Sequence, residues 1–167
     1  MKKTLIVVDM QNDFIDMALG TKEAVAIVPN VKAKIEAYLA AGDEIIYTRD
    51  THAENYLETP EGKKLPVPHC IRGTMGWEIA DGLYIPGSKI IDKPNFGWPH
   101  WNKLELEEVE LVGLCTDICV VSNALIIKAM FPNARVSVDA ACCAGVTPAT
   151  HAAALQTMAM CQIEMTE

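Results

Sequence analysis

Apolar positions along this chain fall into two alternating rhythms. Leu5 to Val8 is a short unbroken apolar run that Asp9 closes, which reads as a strand. Val25 to Ala41 then carries Val28, Val31, Ile35, Tyr38 and Leu39 at helical spacing until Gly42 stops it. Glu44 to Thr48, Lys89 to Ile91 and Val109 to Leu114 read as three further strands. Asp117 to Met130 reads as a helix broken before Pro132, Ala134 to Val138 as a fifth strand, Thr147 to Met160 as an alanine-rich helix and Gln162 to Met165 as a last short strand. Repeated strand and helix alternation predicts one α/β domain over residues 1–167, a three-layer α/β/α sandwich around a central six-stranded, mostly parallel sheet.

The stretch from Asp50 to Gly87 breaks this rhythm. It is rich in prolines and polar turn residues and shows no long periodic element, and a loop of that length in a compact domain usually carries function.

Composition narrows the class. A length of 167 residues suits one domain, 50% hydrophobic and 22% charged residues are those of a soluble globular chain, and no apolar run reaches the roughly 18 residues of a membrane span. The apolar stretch behind Met1-Lys2-Lys3-Thr4 is too short for a signal peptide, which gives an expectation of cytoplasmic location. Six cysteines without small-domain spacing predict reduced thiols rather than a disulfide framework. A net charge of −8 with no basic cluster argues against a nucleic-acid surface and leaves small molecules or other proteins as partners.

Three charged or nucleophilic residues mark strand ends. Asp9 follows the first strand, Lys93 the third, and Cys119 lies just past the fourth, in the expected first turn of a helix. Ligand sites of open α/β sheets lie at the carboxyl edge, where strand order reverses, so these side chains can meet in one crevice. A helix N-terminus favours thiolate, which makes Cys119 a candidate nucleophile at neutral pH.

Leu5-Ile6-Val7-Val8-Asp9-Met10-Gln11-Asn12-Asp13-Phe14, the Asp92-Lys93 pair and Gly113 to Val120 together resemble the three signature segments of the isochorismatase-like cysteine hydrolases, and within them the nicotinamidases. The resemblance spans almost the whole chain. It implies a six-stranded parallel sheet and a catalytic triad of Asp9, Lys93 and Cys119. It implies further that backbone N–H groups of Cys115 and Cys119 receive an oxyanion, with a cis peptide at Leu114-Cys115, and that the chain forms homo-oligomers; the charge and the lack of a long apolar run leave no expectation of nucleic-acid or membrane partners.

The long loop becomes legible in the same light. Asp50-Thr51-His52, Glu61 and His69 resemble the nicotinamidase metal site, in which an Asp-x-His pair is completed by a later histidine and a variable further ligand. Glu54 and Glu58 compete with Glu61 for that variable place, and Cys70 is an alternative to it. Carboxylate and imidazole suit a borderline divalent ion, zinc first, with manganese or iron as alternatives. His100 and His151 have no partner in any motif. Phe14, Phe96 and Trp98, with Trp77 as a further candidate, are the aromatic residues expected to stack on a substrate ring. The segment Leu65-Pro66-Val67-Pro68 departs from the many nicotinamidases that place an aromatic residue there.

The chemistry so implied is hydrolysis of nicotinamide to nicotinate and ammonia through a thioester on Cys119, a route that splits one difficult step into two easier ones. Two other readings compete: a different carboxamide or ureido hydrolase of the same family that needs no metal, and a non-catalytic thiol redox or binding protein.

Overall fold

The computed structural model describes residues 1–166. Six strands, β1 (Lys3–Val8), β2 (Glu44–Asp50), β3 (Lys89–Lys93), β4 (Glu108–Leu114), β5 (Arg135–Ala144) and β6 (Glu164–Thr166), form one sheet in the order β3-β2-β1-β4-β5-β6. Every neighbouring pair is parallel. The order reverses between β1 and β4, which places the switch point between Asp9 and Cys119.

Strand alternation builds the two halves of the core. Leu5 and Val7 of β1 face one apolar cluster and Ile6 and Val8 the other, and Val112 and Leu114 of β4 are separated in the same way from Val109 and Leu111. The first face is covered by α1 (Asn12–Ile15) and α2 (Lys22–Ala41), whose Ala24, Ile27, Val31 and Ile35 form its buried stripe. α4 (Val121–Met130) and α5 (Pro148–Met160) cover the second face. Thr21 caps α2 by accepting the Ala24 N–H, and Gly42 ends it with a left-handed φ of 74°, a conformation open to glycine without a Cβ penalty.

Several boundaries differ from the sequence expectation for physical reasons. β5 runs past Val138 to Ala144, because Asp139 does not end it: this buried carboxylate accepts from Lys34 of α2 at 2.8 Å. The helix expected from Asp117 divides into a π-helical turn at Thr116–Val120 and α4. The long loop is not free of helix, since α3 (Pro60–Lys64) lies within it, capped by Thr59 and led by Pro60. All six cysteines are free thiols, and among the described residues no helix is long and apolar enough to cross a membrane.

Candidate active site

β1 ends in Val8, and Asp9 turns the chain with φ of 49°, a left-handed conformation that aspartate tolerates better than most residues. The turn buries its carboxylate completely. Oδ1 accepts the Thr48 hydroxyl at 2.7 Å and Oδ2 accepts Lys93 Nζ at 2.7 Å. The same ammonium donates to the Asn95 carbonyl at 3.2 Å and reaches Cys119 Sγ at 3.3 Å. Three strand ends thus converge on one cation.

Gly113 makes this convergence possible. It sits opposite Val8 with φ of 122°, and a Cβ there would stand 2.1 Å from the Val8 carbonyl oxygen. Only glycine admits both that backbone and that approach. Beyond it the Leu114-Cys115 peptide is cis and leads into the π turn that carries Cys119.

Burial acts on the cysteine against its ionisation. Desolvation, with the negative charge of Asp9, pushes the Cys119 thiol well above its ordinary value, and Lys93 opposes this only in part. Desolvation likewise raises Asp9 against the pull of Lys93. The buried setting thus works against the thiolate that a helix N-terminus alone would favour. A carboxyl group of raised pKa beside it suits proton transfer in both directions.

A second cluster lies at the end of β2. Asp50 pairs with Lys93 in the β2–β3 register, and a short parallel bridge between His52 and Ile71 brings His69 alongside. One ligand atom from each of Asp50, His52, Glu61 and His69 lies within 4.8 Å of the others. Glu61 reaches the cluster from the first turn of α3. Two observations fit a divalent cation. Asp50 Oδ1 is buried without a hydrogen-bond partner, while Oδ2 is within 2.9 Å of His52 Nε2 and 3.4 Å of His69 Nε2. His69 Nδ1 donates to the Val67 carbonyl at 2.8 Å, which fixes the tautomer that leaves Nε2 free to ligate. Although burial works to raise the Asp50 carboxyl, the facing His52 ring and the Lys93 ammonium help hold it well below the usual carboxylate range.

Both clusters open on one cavity of about 630 Å³, lined among others by Phe14, Asp50, His52, Glu61, His69, Phe96, Cys115 and Cys119. Phe14 packs on His69 with ring centroids 5.5 Å apart. The other two aromatic candidates are placed elsewhere. Trp98 lies outside the cavity lining and packs edge-on against Trp101, and Trp77 is stacked beneath the Arg49 guanidinium at 3.7 Å. Cys70 is buried outside the ligand cluster, its N–H held by the Asp13 carboxylate at 2.8 Å. His151, which belongs to no motif, shares a 2.6 Å hydrogen bond with the Thr116 hydroxyl.

Two residues outside the sequence expectation hold these clusters in place. The Gln11 amide donates to the Asp50 and Trp77 carbonyls at 2.8 and 2.9 Å and accepts the Asp50 N–H at 2.8 Å. Asn123, fully buried, donates to the Cys119 and Phe96 carbonyls and accepts from the Trp98 N–H and the Trp101 indole.

Known proteins share this architecture. The nicotinamidase/pyrazinamidase of Mycobacterium tuberculosis is 28% identical, with 98% of this chain and 97% of that protein covered. An Arabidopsis thaliana protein described as a probable inactive nicotinamidase is 31% identical over 89% of this chain and 84% of its own. The crystal structure of the Pyrococcus horikoshii pyrazinamidase in complex with zinc superposes with a TM-score of 0.84 at 26% identity, covering 100% of this chain and 99% of that one. The isochorismatase domain model matches residues 3–167, so the switch-point sheet and the residues gathered at its edge have a family: the chain belongs to the isochorismatase domain family.

Proposed function

We propose that this protein is a metal-dependent amidohydrolase that converts nicotinamide to nicotinate and ammonia through a thioester on Cys119. One observation carries the reading: Lys93 Nζ stands between the Asp9 carboxylate and the Cys119 thiol, at 2.7 and 3.3 Å, and the cysteine faces the same cavity as the Asp50, His52, Glu61 and His69 cluster. The similarity to nicotinamidases supports the substrate. The acid, cation and thiol together favour an active enzyme over the inactivity ascribed to the Arabidopsis relative, and a redox sensor has no need of Asp9 and Lys93.

Asp9 takes the thiol proton as the sulfur attacks the carboxamide carbon, and Lys93 holds both partners in line. Backbone N–H groups of Cys115 and Cys119 receive the oxyanion. As the C–N bond breaks, Asp9 delivers its proton to the departing nitrogen and ammonia leaves. Asp9 then removes a proton from water, which adds to the thioester carbon. Expulsion of the Cys119 sulfur, reprotonated by Asp9, releases the carboxylic acid, which gives up its proton to the ammonia or solvent to become nicotinate.

Asp50, His52, Glu61 and His69 would hold a divalent ion, zinc by its donor set of imidazoles and carboxylates, with manganese or iron also compatible. When bound, such an ion supplies a Lewis-acidic anchor for the ring nitrogen of the substrate. Phe14 and Phe96, both in the cavity wall, pack on the ring. The test is ammonia release from nicotinamide by purified protein before chelation, after it, and after return of zinc. Loss on chelation and recovery with zinc are expected, and a folded, zinc-loaded protein that releases no ammonia overturns the substrate.

A further inference from the structure

Resting on the reading of this site as a carboxamide hydrolase, we propose that it is shaped for heteroaromatic primary carboxamides bearing a further apolar group about the size of the ring itself. The cavity measures about 630 Å³. An enclosed apolar cavity of about 150 Å³ already accommodates benzene, so a single ring with its carboxamide leaves room to spare in this partly open cleft. The whole volume is in the range that suits larger, drug-sized ligands.

The sheet locates the surplus. Asp50 ends β2, Cys119 follows β4, and Gly145 and Val146 follow β5, one strand beyond the nucleophile. At roughly 4.8 Å per strand, the β2 and β5 walls stand about 14 Å apart along the sheet edge. A single-ring carboxamide spanning from the metal cluster to Cys119 does not reach the far wall.

On that side the lining is aliphatic at Val146, which is 53% exposed, and at Ile118 of the π turn; Leu19 and Ala24 line the cavity from the α1–α2 side and Leu65 from the end of α3. Val146 is not on a loose loop, because its N–H donates to both oxygens of Asp117, at 3.1 and 3.3 Å. A fixed, uncovered apolar rim gains by burying an apolar group of the ligand.

The test uses the zinc-loaded Cys119→Ala protein, in which binding is separated from turnover, and calorimetric Kd values for nicotinamide and 5-phenylnicotinamide. The phenyl group of the second ligand lies meta to both the ring nitrogen and the carboxamide and blocks neither. 5-Phenylnicotinamide should bind roughly tenfold or more tightly than nicotinamide. Val146→Glu, a change at an exposed position, should weaken 5-phenylnicotinamide about tenfold and nicotinamide much less. Equal or weaker binding of 5-phenylnicotinamide to the Val146 protein overturns the inference, as does an equal loss for both ligands in the Val146→Glu protein. Ammonia release from nicotinamide by the unmodified enzyme reports separately on the hydrolase reading. Turnover with equal affinities sinks the larger substrate alone, and tight phenyl binding without turnover sinks only the smaller one.

Discussion

The Lys93 ammonium donates to the Asp9 carboxylate at 2.7 Å with both side chains entirely shielded from solvent. A pair buried this deeply gains little over an apolar replacement, but removing one partner strands a charge. Lys93→Met should therefore destabilise the protein by about 3–5 kcal/mol in denaturant melts, and adding Asp9→Asn should return most of that loss. Neither protein should hydrolyse amide. If the two substitutions destabilise additively, the pair does not hold its charges as described.

The state of Cys119 gives a second prediction. Burial and the negative charge of Asp9 push its thiol up, and Lys93 opposes this only in part. Alkylation by iodoacetamide at neutral pH, followed by peptide mass mapping, should label exposed Cys161 well before Cys119. Cys119→Ala should abolish turnover while leaving the thermal midpoint close to that of the parent. Faster labelling of Cys119 than of Cys161 would mean that thiolate prevails before substrate arrives.

Asn123 ties Cys119 to the loop after β3. It spans the Cys119 and Phe96 carbonyls and the Trp98 and Trp101 N–H groups from a fully buried position. Replacement by leucine leaves these polar groups without a partner, and each buried orphan costs about 1–3 kcal/mol. Asn123→Leu should lose at least about 2 kcal/mol of stability and show a fall in kcat larger than its change in KM. Unchanged kinetics would confine Asn123 to a structural role.

The sequence made the strand ends legible because each apolar run stops at a residue that does not belong in a core: Asp9, Asp50 and Lys93. Cys119 could be placed after β4 because the apolar run Val109 to Leu114 stops and a helix starts there. Gln11 and Asn123 were not legible, since their partners are backbone groups whose positions exist only once separate segments have folded together. Asp139 misled the reading of β5 because its neutralising Lys34 comes from a distant helix. Trp98 sits near Phe96 in sequence, yet Asn123 accepts its N–H and its ring packs on Trp101, so proximity along the chain did not place it in the cavity.

The ligand cluster predicts a stability linkage. A cation that binds only the folded chain stabilises it by mass action, by about 2.7 kcal/mol when free metal is about a hundredfold above Kd. Chelation of the zinc-loaded protein should lower its thermal midpoint, and zinc should restore it. His69→Ala should show neither response, and Glu61→Ala should shift the midpoint only at higher zinc. A midpoint indifferent to chelator in the unmodified protein would leave the four side chains without a resident ion.

His151 supplies a pH dependence away from the metal cluster. Burial lowers its pKa from the ordinary histidine value of about 6.5, and Asp117 only partly offsets this. Between the folded and unfolded values the unfolded chain binds more protons, so stability rises with pH across that interval. The contribution is fully present above about pH 6.5 and is lost as the pH falls through the unfolded value toward the folded one. His151→Gln keeps a side chain that can bond to Thr116 Oγ1 but cannot take up the proton. The denaturation midpoint of the histidine protein should therefore fall further between about pH 7.5 and about pH 5.5 than that of His151→Gln, with the shared loss from other groups cancelling in the comparison. Parallel curves would mean that His151 titrates alike in both states and that its contact with Thr116 does not depend on the neutral ring.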